Sequence, residues 1–184
     1  MERPFQKKND LHFSKNAEEA LEQMMDLYGQ IVLRTAFFYV QDRFLAEDIC
    51  QETFIRAYRN WNKFQGNSSV KTWLIRITIN LCKDKLGLKA FKSEETTDPT
   101  ALKTSNYHTV EEEVMNRLHK TEILKHLVSL SKPHQEVLYL YYYLDFSTVE
   151  ISIASSLPEG TIRARLHRAR GQLKKLLQKE GFDQ

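Results

Sequence analysis

The sequence predicts an all-α protein made of two small helical domains joined by a flexible linker. Three observations carry that prediction. Glycine and proline are scarce, 6 and 4 among 184 residues, and the stretches between them repeat apolar residues at helical rather than alternating spacing. Positive charge gathers in two blocks: nine Lys/Arg against the single acid Asp84 from Arg56 to Lys92, and seven Lys/Arg with no acid from Arg163 to Lys179. Between them, Glu94 to Glu122 holds seven acids against three bases. Charge segregated in this way, within a net +3, predicts polyanion contact in two places across an acidic spacer.

Residues 1–16 are polar and read as a loose tail. A first amphipathic helix is expected from Ala17 to about Tyr39, with Leu21, Met24, Met25, Tyr28, Ile31, Val32 and Thr35 on one side. A second runs from about Phe44 to Phe64. Gln65-Gly66-Asn67-Ser68-Ser69 is a loop by composition, and Ser68 or Ser69 can cap a third helix reaching Leu86, with Gly87 as its stop. Residues 88–111 read as the linker, because they are polar and lack periodicity. Helix is expected again around Val110–Leu130, and from Pro133 to Leu144 with Ser131 as N-cap. Ser147-x-x-Glu150 is a capping box that opens a short helix, Ser155-Ser156-Leu157-Pro158 closes it, and a long helix continues to about Lys179. The resulting boundaries are a tail at 1–16, a first domain at 17–87, a linker at 88–111 and a second domain at 112–184.

Several classes are disfavoured. No run approaches about 18 apolar residues and the N-terminus lacks a signal-peptide core, so a cytoplasmic chain without membrane insertion is expected. Cys50 and Cys82 are isolated thiols without C-x-x-C spacing, expected to be reduced and buried. The six histidines are scattered and no nucleophile–base pair stands out, so neither enzymatic activity nor a metal or cofactor is expected.

The last helix reads as a groove reader. Placed at 100° per residue, Leu166, Ala169, Leu173 and Leu176 stay within about 40° of Ile162 and form the core stripe. Arg163, His167, Arg170 and Lys174 flank the outward face on one side, Arg168 and Lys175 on the other, with the small Ala164 and Gly171 between them. Such a face approaches the floor of a groove while its cations reach phosphates or guanine edges, and the Ala164 methyl can meet a thymine methyl. A capped short helix, a turn and a basic helix is the helix-turn-helix pattern. In the third helix, Leu74, Ile77, Thr78 and Leu81 form the apolar stripe. Trp73, Arg76, Asn80 and Lys83 lie on the polar side, where Trp can stack on an unpaired base, Asn can bond its edge and the cations can hold phosphates. The Gln65–Ser69 loop just upstream can wrap an extruded base. Acids Glu47, Asp48 and Glu52 with Gln51 crowd the start of the second helix, which suits the helix dipole and pairs such as Glu52–Arg56.

Ala46-Glu-Asp-Ile-Cys-Gln-Glu-Thr-Phe-Ile-Arg-Ala-Tyr58, Phe64-Gln-Gly-Asn-Ser, Thr72-Trp-Leu-Ile-Arg-Ile-Thr-Ile-Asn80 and Gly160-Thr-Ile-Arg-Ala-Arg-Leu-His-Arg-Ala-Arg170 resemble, in order and spacing, the extracytoplasmic-function sigma factors. The resemblance covers roughly residues 20–87 and 112–178. It implies a sigma-2 helical bundle and a sigma-4 helix-turn-helix of an RNA polymerase specificity subunit that directs initiation at −35/−10 promoters. It also implies roles for single residues. Asp48, Gln51 and Glu52 match the contact to the clamp helices of the largest core RNA polymerase subunit, and the sigma-4 domain would meet the flap of the second-largest. Gln65, Gly66, Asn67 and Ser68 match the loop that captures a flipped −10 base, with Trp73, Arg76, Asn80 and Lys83 beside it for melting. Arg163, Ala164, Arg165, His167 and Arg168 match the −35 readers. An anti-sigma factor and a stress or envelope response are implied in the same way. Two departures stand out: Ser152 and Ser155 occupy packing positions, and the turn glycine is missing, so a weaker sigma-4 core is expected. A transcriptional activator with its own duplex site and a single-strand-binding module remain alternatives.

Overall fold

The computed structural model describes residues 13–87 and 129–179. The expected linker at 88–111, the first part of the tail and almost all of the Val110–Leu130 helix lie outside these residues. Helix α1 spans Ala17–Val40, α2 Arg43–Asn60 with a 3₁₀ turn at Trp61–Lys63, and α3 Val70–Lys85. The second group is α4 at Lys132–Leu138, one π-helical turn at Tyr139–Tyr143, α5 at Thr148–Ser155 and α6 at Glu159–Lys179.

Each boundary has a local cause. The Asn16 side chain accepts the Glu18 and Glu19 amides at 2.8 and 3.3 Å and starts α1. Gln41 stops it by adopting φ 54°, returning its backbone N–H to the Phe37 carbonyl and its side-chain amide to that of Phe38. Asp42 then caps α2 at the Leu45 amide, 2.9 Å, and Ser69 caps α3 at the Thr72 amide, 3.1 Å. Gly87, at φ 63°, ends the third helix as expected of a residue without a Cβ.

α1, α2 and α3 pack pairwise into a bundle. Ala20, Met24, Val32, Phe54, Ala57 and Leu74 fill one end of its core. Met25, expected on that face, is 51% exposed. It lies one residue, about 100°, around the helix from the fully buried Met24. Of four fully buried threonines, Thr35, Thr53 and Thr78 send their hydroxyls back to the carbonyls of Ile31, Ile49 and Leu74, and the Thr72 hydroxyl bonds Ser69, so none is left unsatisfied.

In the second group the capping box forms: the Ser147 hydroxyl accepts the Glu150 amide at 3.2 Å and the Glu150 carboxylate accepts the Ser147 amide at 2.9 Å. The turn after α5 is made without glycine, by Ser156 at φ 58°. The Ser152 hydroxyl donates to the Leu157 carbonyl at 2.5 Å and ties that turn closed. Ser155 donates to the Ile151 carbonyl at 2.6 Å. Both hydroxyls are therefore bonded, which removes the penalty for unpaired polar groups, although the apolar contacts of larger residues are forgone.

The two groups share a core. Ile75, Ile79, Leu81 and Cys82 of α3 cluster with Val137, Leu140, Leu144, Ile151 and Ile162. The Tyr139 ring stacks on Phe38 at 4.0 Å and 8°. Polar bonds cross the same boundary. Lys71 Nζ donates to the Leu144 carbonyl at 2.7 Å and lies over the Phe146 ring, and Thr72 donates to Glu150 at 3.4 Å. Glu136, 3% exposed, receives the Tyr39 hydroxyl at 2.7 Å and Lys83 Nζ at 3.0 Å. Helix α3 is thus covered on two sides, by α1 and α2 and by α5.

Candidate nucleic-acid interface

Two surfaces offer cations and stacking groups in ordered positions. The first is the outward face of α6. Ile162, Leu166 and Ala169 are buried and Leu173 and Leu176 half-buried, so the inferred stripe faces the core. Arg163, Ala164, His167 and Arg168 are exposed. Arg165 is half-buried: it lies about 60° from Ile162 around the axis, at the shoulder of the core stripe. Glu159 fixes the start of this face. Its carboxylate accepts the Thr148 hydroxyl at 2.7 Å, which joins α6 to α5, and Arg163 Nε at 3.0 Å. The Thr148 and Arg163 hydrogen bonds hold the Glu159 carboxyl below its usual range. Arg163 therefore leaves an exposed i,i+4 ion pair when it turns to another anion, a partner held only weakly in water.

The second surface is a cavity of about 340 Å³ between the end of α2 and the outer side of α3. Phe64 and Trp73 form an aromatic wall, with ring centroids 4.8 Å apart, and Arg56, Lys63, Asn60 and Asn80 bring polar groups to it. Trp61 backs the wall, stacked on Phe64 at 5.5 Å and 14°. Such a lining, flat apolar faces beside amides and cations, suits a planar heterocycle attached to a phosphate chain. The loop Gln65–Ser69 follows at once. Gln65, Gly66 and Asn67 are exposed and Ser68 is half-buried, with Gly66 at φ 70° turning the chain.

The four α3 residues do not share one environment. Arg76 and Asn80 are exposed. Trp73 is half-buried in the aromatic wall rather than standing free, because it lies about 40° from Ile77 at the edge of the apolar stripe. Lys83, with a side chain 14% exposed, is engaged by Glu136. It borders Ile79 and Cys82, a second buried face that the stripe of Leu74, Thr78 and Leu81 does not reveal.

Arg56, Asn60, Lys63 and Phe64 were not singled out from the sequence as a site. Their spacing of i, i+4, i+7 and i+8 places them on one side of α2 and its 3₁₀ extension, a signal that the sequence does carry. On a third surface, Asp48 and Gln51 are exposed while Glu52 is half-buried and paired with Arg56 at 2.8 Å. Phe44, 76% exposed, Ile55 and Tyr58 continue the stripe of Asp48 and Gln51 along α2.

Among the described residues no helix is long and apolar enough to cross a membrane. The family model for sigma-70 region 2 matches residues 24–92, and that for sigma-70 region 4 matches residues 120–173. The chain is 29% identical over 181 residues to the ECF RNA polymerase sigma factor SigW of Bacillus subtilis, spanning 93% of this chain and 96% of that protein. Its fold is similar to that of CnrH, solved with the cytosolic domain of CnrY, at TM-score 0.62 and 20% identity over 89% of this chain and 91% of the other. It is also similar to the sigma factor RpoE of Bartonella quintana, solved with the anti-sigma factor NepR, at TM-score 0.60 and 24% identity over 85% and 96% of the two chains.

Proposed function

The chain belongs to the extracytoplasmic-function branch of the sigma-70 family, and from that premise we propose that it directs core RNA polymerase to −35/−10 promoters by dividing the work between its two surfaces. The face of α6 carrying Arg163, Ala164, His167 and Arg168, with Arg165 at its shoulder, reads the −35 element as closed duplex in the major groove. The cavity beside Asn80, with the Gln65–Ser68 loop and Arg76, takes a −10 base that has left the stack. Lys83 joins this set only after α4 withdraws Glu136 from it.

The stripe of Asp48, Gln51 and Glu52 docks on the clamp helices of the largest polymerase subunit, and the region-4 half meets the flap of the second-largest. The protein works inside the cell, adds no bond-breaking chemistry of its own, and answers to an anti-sigma factor in a stress or envelope response. Supporting that last point, both similar structures were solved with a bound second protein, named an anti-sigma factor for RpoE.

The observation that carries the reading is the pairing of an exposed groove face with an aromatic, amide-lined cavity, one in each matched family region. Run-off transcription with purified core polymerase on a promoter library tests it: start sites that appear only with the chain added are expected. Failure to initiate anywhere removes it, and tight polymerase-free binding to a palindromic duplex points instead to an activator.

A further inference from the structure

Trp61, which backs the wall of the cavity, is held by a segment that precedes the matched region-2 stretch, which begins at residue 24. Trp61 sits in a single 3₁₀ turn with no side-chain cap, an element too short to hold its own shape. Its indole N–H, the only polar group of that side chain, donates to the Ser14 carbonyl at 3.0 Å. Phe13 meets the Trp61 ring edge-on at 5.9 Å and lies against Tyr28 at 6.3 Å. Ser14 is itself fixed to α1, its amide donating to Gln23 Oε1 at 3.1 Å and its hydroxyl to Glu19 at 2.7 Å. The contacts therefore run from α1 through Ser14 and Phe13 to Trp61, which meets both rings of the cavity wall, Phe64 at 5.5 Å and Trp73 at 6.1 Å.

We infer that Phe13 and Ser14 are positioning residues for base capture: they clasp Trp61, and Trp61 holds Phe64 at the angle at which a flipped promoter base stacks. The inference rests on the cavity being the −10 base site. The physical reason is that stacking needs a wall already in place, since a ring that must be ordered on binding offsets much of the contact it makes. Neither residue touches the base.

The test uses holoenzyme and a promoter found by run-off transcription. Affinity is measured by fluorescence anisotropy on a fork DNA with single-stranded −10 bases, intact or with one base removed at each position in turn. For the unaltered protein, removing the captured base is expected to cost about tenfold. Phe13→Ala is expected to lose about tenfold on the intact strand and nothing further when that base is removed, with core affinity unchanged and the helical circular dichroism retained at the assay temperature. Phe13→Tyr restores both the affinity and the dependence on the base. Equal losses on intact and base-free strands, a fall in core affinity, or no loss at all each overturn the inference. If no base removal affects the unaltered protein, the cavity is not a base site and the inference falls with it, a result distinguishable from the others.

Discussion

Burial sets the chemistry of single residues in this chain. Desolvation raises the Cys82 thiol from its ordinary 9.0 to about 12 and the Cys50 thiol to about 11. It also raises the buried Tyr39 well above 10, aided by the Glu136 carboxylate. An acid whose folded value is raised keeps its proton longer in the native state. The stability it contributes is complete below its unfolded value and is lost as pH climbs through the folded one. Both thiols are therefore expected to resist iodoacetamide near pH 7, and unfolding midpoints should fall from about pH 9 upward; rapid labelling of native protein at pH 7 would contradict this. On the exposed groove face, Arg163→Ala should cost about 1–3 kcal/mol of promoter binding and relax the −35 preference, read by competition among variant duplexes. Asp48→Lys with Gln51→Ala should abolish core binding in a pull-down while leaving circular dichroism intact, since both residues are exposed on a helix whose core side is untouched.

At the scale of elements, the helix starts were legible because caps act over three or four residues. Ser69 and Ser147, read as caps from the sequence, bond amides in the first turn of their helices, and Asn16 and Asp42, which the sequence reading did not name, do the same. Ser131 holds the expected N-cap position of α4, but its side chain makes no capping bond. The turn between α5 and α6 was less so. A missing glycine pointed to a weakened motif, yet Ser156 occupies the left-handed region itself and Ser152 closes the turn with its hydroxyl. A Cβ in that region carries a cost of about 1 kcal/mol, so Ser156→Gly should raise the urea midpoint, by roughly that amount after conversion, without changing promoter choice. The helix expected from Pro133 to Leu144 becomes α4 and one π-helical turn at Tyr139–Tyr143. That turn sets Tyr139 against Phe38, a contact no local pattern encodes.

For the molecule as a whole, the decisive feature is that the region-4 half covers one side of α3. Glu136 is nearly inaccessible and holds Lys83 of the other half. Removing one partner of a buried pair strips the other charge of much of its compensation, whereas replacing both with apolar groups is often harmless. Glu136→Ala is therefore expected to loosen the two halves by about 3 kcal/mol, read as a rise in inter-half distance by fluorescence energy transfer. Lys83→Met with Glu136→Leu should restore the close arrangement, and identical distances in all three proteins would remove the pair from any closing role. The sequence by itself determined most of the helices among the described residues, the Ser69 and Ser147 caps, the segregation of charge and the two family regions, because each is written in neighbouring residues or in a 3.6-residue period. Only the tertiary structure decided which flank of α3 is presented. Ile75, Ile79 and Cys82 look like the ordinary apolar residues of one amphipathic helix, but a segment far along the chain buries them as a second face. That segment brings Glu136 to Lys83 and leaves Arg76 and Asn80 exposed on the outward side.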